Sequence, residues 1–158
     1  MSFPAHIESL TLAVLDNLEN QQDWTSLKVH RDASKPRPLI SGLPPRRIYV
    51  HPDEQIEILK AEKAQGQSIP QPPELEWVMP IHLAEKSSLS AFAAVFDSIE
   101  AIPPGTATEG AASDDTAVQW RQWRGPKRGK RILLATVHDD STVVYYLMHD
   151  GIVKPRQN

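Results

Sequence analysis

From Val118 to Arg131 the chain runs VQWRQWRGPKRGKR, which interleaves Trp120 and Trp123 with six cations and no acid: Arg121, Arg124, Lys127, Arg128, Lys130 and Arg131. Cations neutralise phosphates, and indole faces stack on bases or guanidinium planes, so this composition suits RNA contact. The same residues also fit indoles docked on a core beside a solvated cationic run, or a nuclear-import address over Lys127 to Arg131. A second charged feature is Asp139-Asp140. Adjacent carboxylates can hold Mg²⁺, but these share a tight turn with no third ligand nearby in sequence. A solvated turn is the simpler reading, and docking of a protruding acidic loop into a basic pocket of another subunit is a third. The six histidines, at positions 6, 30, 51, 82, 138 and 149, are far apart, with no i,i+4 pair and no His-Glu-x-x-His, so no metal site is expected. No Gly-x-Ser-x-Gly occurs, and Gly125, Gly129 and Gly151 form neither a Walker loop nor a dinucleotide fingerprint. The residues therefore imply no cofactor.

Several elements must position these groups. Ile7, Leu10, Val14 and Leu18 recur three or four apart between Pro4 and Asn20, which predicts an amphipathic helix with Ser2 as cap and Pro4 in its first turn. Trp24 to His30 alternates as a half-buried first strand does. Pro36, Pro38, Pro44 and Pro45 remove too many donors for a central strand, so 33–46 reads as loop or edge. Arg47 to Val50 is a short β-prone run, and Pro52 opens a helix whose apolar positions are Ile56 and Leu59. A loop over 66–73 leads to a strand at Glu76 to Ile81, interrupted by Pro80. Ser88 then caps a helix with Leu89, Phe92, Phe96 and Ile99 on one face. Residues 102–118 have no periodicity and read as a mobile loop. Arg131 to Val137 and Thr142 to Met148, joined by His138-Asp139-Asp140-Ser141, make a hairpin. Its second strand is long, β-branched and aromatic, a hazard if left as a bare edge. It is expected to meet a partner's strand, with Val144 and Tyr146 on one face and Val143, Tyr145 and Leu147 on the other.

The 158 residues suit one domain, since domains cluster near ~100–150 residues. With 40% apolar and 23% charged residues the chain can build a core without charge-driven disorder. No apolar run nears the roughly 18–20 residues that span a bilayer, and the N-terminus lacks a secretory signature, so membrane insertion and secretion are not expected. Absence of cysteine excludes disulfides and thiolate chemistry and favours a reducing compartment. The net charge of −3 argues against a general nucleic-acid coat, although the cations are concentrated in 121–131.

The run Lys130 to Val137, then Asp-Ser-Thr-Val-Val-Tyr-Tyr over 140–146 and Asp150-Gly151 followed by Pro155, resembles the last hairpin of tRNA-intron endonuclease subunits. In particular it is similar to the smallest, non-catalytic subunit of the eukaryotic tRNA-splicing endonuclease, in a fungal-like form. The initial helix, Trp24, Gly42-Leu43-Pro44 and Glu76 to Ile81 follow in the order that family shows. The resemblance implies a single α/β (mixed α+β) domain over 1–158: an endonuclease-type mixed sheet flanked by helices, with a C-terminal β-hairpin. It implies a heterotetramer of two catalytic and two structural subunits acting on precursor tRNA, each structural subunit pairing with a catalytic one. Catalytic members use tyrosine, histidine and lysine. Lys130 falls at the lysine position, but the tyrosine and histidine motifs are missing, and a lone lysine cannot supply both base and acid. No catalytic residue is therefore expected. In related archaeal enzymes an acidic loop of the structural subunit enters a positive cleft of the opposite dimer, which places Asp139 and Asp140 as an assembly loop. Val143 to Leu147 would form the partner interface, with homodimerisation through the same edge when the chain is isolated. Trp120, Arg121, Trp123, Arg124, Lys127, Arg128 and Lys130 would bind RNA. The nucleus is the expected site, with the cytoplasmic face of mitochondria as the alternative. A stand-alone RNA-binding protein and an active nuclease are the competing functions.

Overall fold

The computed structural model describes residues 3–69, 72–104 and 129–150. Helix α1, Ala5–Asn20, follows Pro4 with no side-chain cap bond, and the expected cap Ser2 lies outside the described residues. Its periodic Val14 and Leu18 are fully buried, as the spacing predicts. Strand β1, Thr25–His30, begins one residue after Trp24, which is itself buried. Strand β2, Leu39–Leu43, corrects the expectation of a loop or edge over 33–46. It lies between β1 and β3 and is mostly buried, because all four prolines fall outside its five residues and leave every strand donor in place. Gly42 brings β2 close to β1: a Cβ there would meet the mobile end of Leu27, Cδ2, at 2.7 Å and Trp24 Cε3 at 3.1 Å.

Arg47 to Val50 form no strand, contrary to their β-prone composition. Arg47 and Tyr49 turn their side chains inward instead. Helix α2, Pro52–Gln65, starts where Pro52 predicts, with His51 Nδ1 accepting the Asp53 N–H at 3.1 Å. It ends on Gly66 in the left-handed conformation (φ 70°). Ile56 and Leu59 point outward rather than to the core, and Glu54 and Ile58 are the buried positions. Strand β3, Glu76–His82, runs through Pro80 without interruption. Pro80 lies past the last β2 pair, Ile40↔Val78, and its carbonyl accepts from Arg37 Nη2 at 2.8 Å, so no ladder donor is missed. Helix α3, Leu89–Asp97, is capped by Ser88 Oγ on the Ala91 N–H at 3.1 Å. Phe96 and Ile99 are buried as expected, whereas Leu89 at the first turn is exposed.

Strands β4, Arg131–Val137, and β5, Val143–His149, form the expected hairpin, displaced by one residue in β5. The sheet order is β1-β2-β3-β4-β5, antiparallel throughout except for the parallel β3–β4 pair. Val14 and Leu18 of α1 pack on Ile40, Val78, Ala135 and Val137 on one face. Val95, Phe96 and Ile99 pack on Leu39, Trp77, Met79 and Ile132 on the other. A mixed sheet flanked by helices and closed by a hairpin is thus the α+β class anticipated. Of the expected mobile loop, 105–118 lie outside the described residues. No helix among the described residues is long and apolar enough to cross a membrane.

Candidate functional site

β5 pairs with β4 without a register shift from Val137↔Val143 to Arg131↔His149, and no strand among the described residues pairs with its other side. Alternation splits its side chains as the sequence predicts. Val143 and Tyr145 pack on the α1 cluster, and Tyr145 Oη donates to Asn17 Oδ1 at 2.6 Å while burial pushes its phenol pKa up. Tyr145 is thereby committed to its own core. On the opposite face Met148 packs beside Phe92 and Leu134, and Tyr146 is 54% exposed next to half-buried Val144. Leu147 is half-buried opposite Leu133. Of the five anticipated interface residues, Val144 and Tyr146 have the side chains best placed for a partner. Leu134, cross-strand from Tyr146, extends the same face and carries no separate mark in the sequence.

The turn at the upper end is tied down from within. His138 N–H donates to Thr142 O at 2.8 Å, and Ser141 adopts φ 70°. Asp140 Oδ1 accepts the Thr142 N–H at 3.0 Å, and this bonding holds the Asp140 carboxyl below the usual carboxylate range. Asp139 is solvated, with Oδ1 2.9 Å from His82 Nε2. His82 Nδ1 accepts the Ala84 N–H, so Nε2 is the ring donor in the neutral form. The two acids are therefore unequal: Asp140 closes the turn and Asp139 projects.

The lower end rests on buried charge. Arg131 donates to Glu76 through Nε at 2.9 Å and Nη2 at 2.6 Å. Burial would lower the guanidinium pKa, but the bidentate carboxylate holds it above its usual value. Tyr49 lies under Arg131 at 5.6 Å and meets the His149 ring edge-on at 4.6 Å. Arg47 pairs with fully buried Glu54 of α2 at 2.6 Å. Burial, then the nearby Arg131 and His51 charges, hold His149 below its ordinary pKa. Arg131, the last of the six cations in the basic run and the first residue of β4, is an interior residue. Lys130 Nζ donates to the Phe96 carbonyl near the end of α3 at 3.0 Å, a tie that suits a cation at a helix C-terminus. Trp120, Arg121, Trp123, Arg124, Lys127 and Arg128 lie outside the described residues. No group of three or more His, Asp or Glu among the described residues is placed to hold a metal ion.

Among the described residues the five-stranded sheet leaves the outer side of β5, a regular strand rich in apolar side chains, without a pairing strand, and such an edge can accept a further strand. The family described as Sen15 protein matches residues 13–158, and the chain belongs to it. A Neurospora crassa protein named probable tRNA-splicing endonuclease subunit tsp-1 is 63% identical over 158 residues, covering 100% of this chain and 70% of that protein. The Schizosaccharomyces pombe probable tRNA-splicing endonuclease subunit sen15 is 30% identical over 151 residues, covering 92% and 80%. The Eremothecium gossypii tRNA-splicing endonuclease subunit SEN15 is 23% identical over 158 residues, covering 100% and 98%.

Proposed function

We infer that this chain is a non-catalytic subunit of the tRNA-splicing endonuclease, the heterotetramer that excises introns from precursor tRNA, and that it pairs with and positions a catalytic subunit. The observation that carries the mode of pairing is the outer side of β5, unpaired among the described residues, seven residues long and in unbroken register with β4. Addition of a partner strand would satisfy its outward backbone groups, while Val144 and Tyr146 supply side-chain specificity. An isolated chain would homodimerise along the same edge. Asp139 is the projecting acid of the assembly turn, aimed at a basic pocket of the opposite heterodimer, and Asp140 shapes the turn that presents it. Contact with precursor tRNA falls to the indole and cation run over 120–128 on composition alone, and the expected compartment is the nucleus. Lys130, engaged at the end of α3, acts as a fastener more readily than as an RNA contact.

The test is co-expression with the catalytic subunit followed by size exclusion with mass determination and an RNA cleavage assay. The expected result is a one-to-one complex, with no cleavage by this chain alone. A chain that elutes by itself in the presence of the catalytic subunit, or that cuts RNA unaided, would overturn the reading.

A further inference from the structure

Helix α2 turns Glu54 and Ile58 inward and leaves Ile56 and Leu59 outward. Of its acids, Glu54 is buried, Glu57 and Glu62 are half-buried, and Asp53 sits in the first turn with a side chain 46% exposed. Glu54 is enclosed against Arg47, and Glu62 Oε2 accepts the Ile69 N–H at 2.7 Å. On the exposed side stand Ile56 and Leu59, 47% and 57% exposed, with Lys60 and Lys63. Spacings of three and four place these four residues on a single stripe. Among the described residues neither lysine is paired with a carboxylate. The stripe itself thus carries two aliphatic side chains and two cations and no acid, with Asp53 beyond its N-terminal end. Folding of the isolated chain gains nothing from leaving two large aliphatic side chains in water.

We propose that this stripe docks an amphipathic protein segment of another subunit, one that seats apolar side chains on Ile56 and Leu59 and sets carboxylates against Lys60 and Lys63. Charge complementarity selects an acidic occupant, and the aliphatic pair selects protein over RNA, because isoleucine and leucine neither stack on bases nor neutralise phosphate. The proposal rests on the reading that the chain works within the endonuclease assembly, and it adds a contact on a helix to the strand pairing at β5.

The experiment uses the full chain and the reconstituted assembly. Hydrogen exchange over 53–65 should be slower in the assembly than in the free chain. Ile56→Gln with Leu59→Gln keeps good helix formers at both positions, so the melting temperature of the free chain should be unchanged while association weakens at least tenfold. Lys60→Glu with Lys63→Glu should weaken association similarly and flatten its salt dependence. Unchanged exchange and unchanged association in both double variants would overturn the proposal. So would a loss confined to precursor tRNA affinity in the lysine variant, which would make the stripe an RNA contact. If the wild-type chain itself fails to assemble, the strand-pairing reading falls too, whereas assembly indifferent to both variants removes the α2 contact alone.

Discussion

The two outer strands of the sheet are built to opposite ends. β1 pairs with β2 through a register shift between Thr25 and Lys28, has positive φ at Ser26 and just before it at Asp23, and exposes Thr25, Ser26 and Lys28. A bulge and a lysine are standard means of spoiling a strand for further pairing. β5 has neither device. Its ladder to β4 is regular, its side chains are valine, tyrosine, leucine and methionine up to the terminal His149, and its turn is locked by Asp140. One edge carries devices against further pairing and the other does not, and under the proposed pairing a partner strand would join at β5 alone.

The largest expected effect separates the supports of the two edges. Arg131→Ala removes the bidentate partner of a buried carboxylate beneath the β5 side and should destabilise by ~3–5 kcal/mol in urea unfolding. Arg31→Ala removes an exposed pair with Glu8 next to β1 and should cost less than about 1 kcal/mol. Equal losses would erase the contrast. Next, Val144→Asp with Tyr146→Asp should weaken binding to the catalytic subunit at least a hundredfold, about 2.7 kcal/mol by titration calorimetry, with the monomer still folded. Thr25→Asp with Lys28→Asp should leave that affinity unaltered, and a similar loss from both would mean that β1 is a second interface. A smaller effect is expected at the turn. Asp139→Asn should weaken association of heterodimers roughly tenfold in sedimentation across salt, with the melting temperature nearly unchanged. Wild-type-like tetramers would reduce Asp139 to a solvated turn residue.

The smallest effect is a pH dependence with one histidine on each edge. Burial holds both His30 and His149 below the ordinary value of 6.5, so the unfolded chain takes up protons first on acidification. Their stabilisation is complete above that value and declines as pH falls below it toward the folded-state values. The melting temperature should drop between about pH 7.5 and about pH 5.5, and by less in His149→Gln. An unchanged slope in that variant would assign the effect to His30, enclosed against Ser41 at 2.7 Å and the Trp77 ring.

What was legible in the sequence followed from local pattern. α1, α3 and the β4–β5 hairpin announce themselves through periodicity, a serine cap and an acidic turn, and the two faces of β5 follow from alternation. β2 was hidden because a proline count does not reveal that the prolines flank a strand instead of interrupting it. α2 inverted the usual rule, since Glu54 is drawn inward by Arg47 and displaces Ile56 and Leu59 to the surface. The Arg131–Glu76 pair joins residues 55 apart, and a contact of that separation leaves no trace in spacing. Tyr145 looked like an interface residue by type, and only its bond to Asn17, 128 positions away, assigns it inward.

The single parallel seam of the sheet also bears on how the chain can vary. β3 and β4 are aligned side by side from Trp77↔Ile132 to His82↔Val137, although the intervening stretch carries α3 and the whole of 105–128. Separation in sequence does little to choose which residues of two strands meet, because closure entropy changes only with the logarithm of the length closed. Alignment has to come from the strands themselves, with the Glu76–Arg131 fork as a clasp at one end of the seam. A change in the length of the stretch between α3 and β4 should therefore leave the register of β3 against β4, and the place of β5, unaltered.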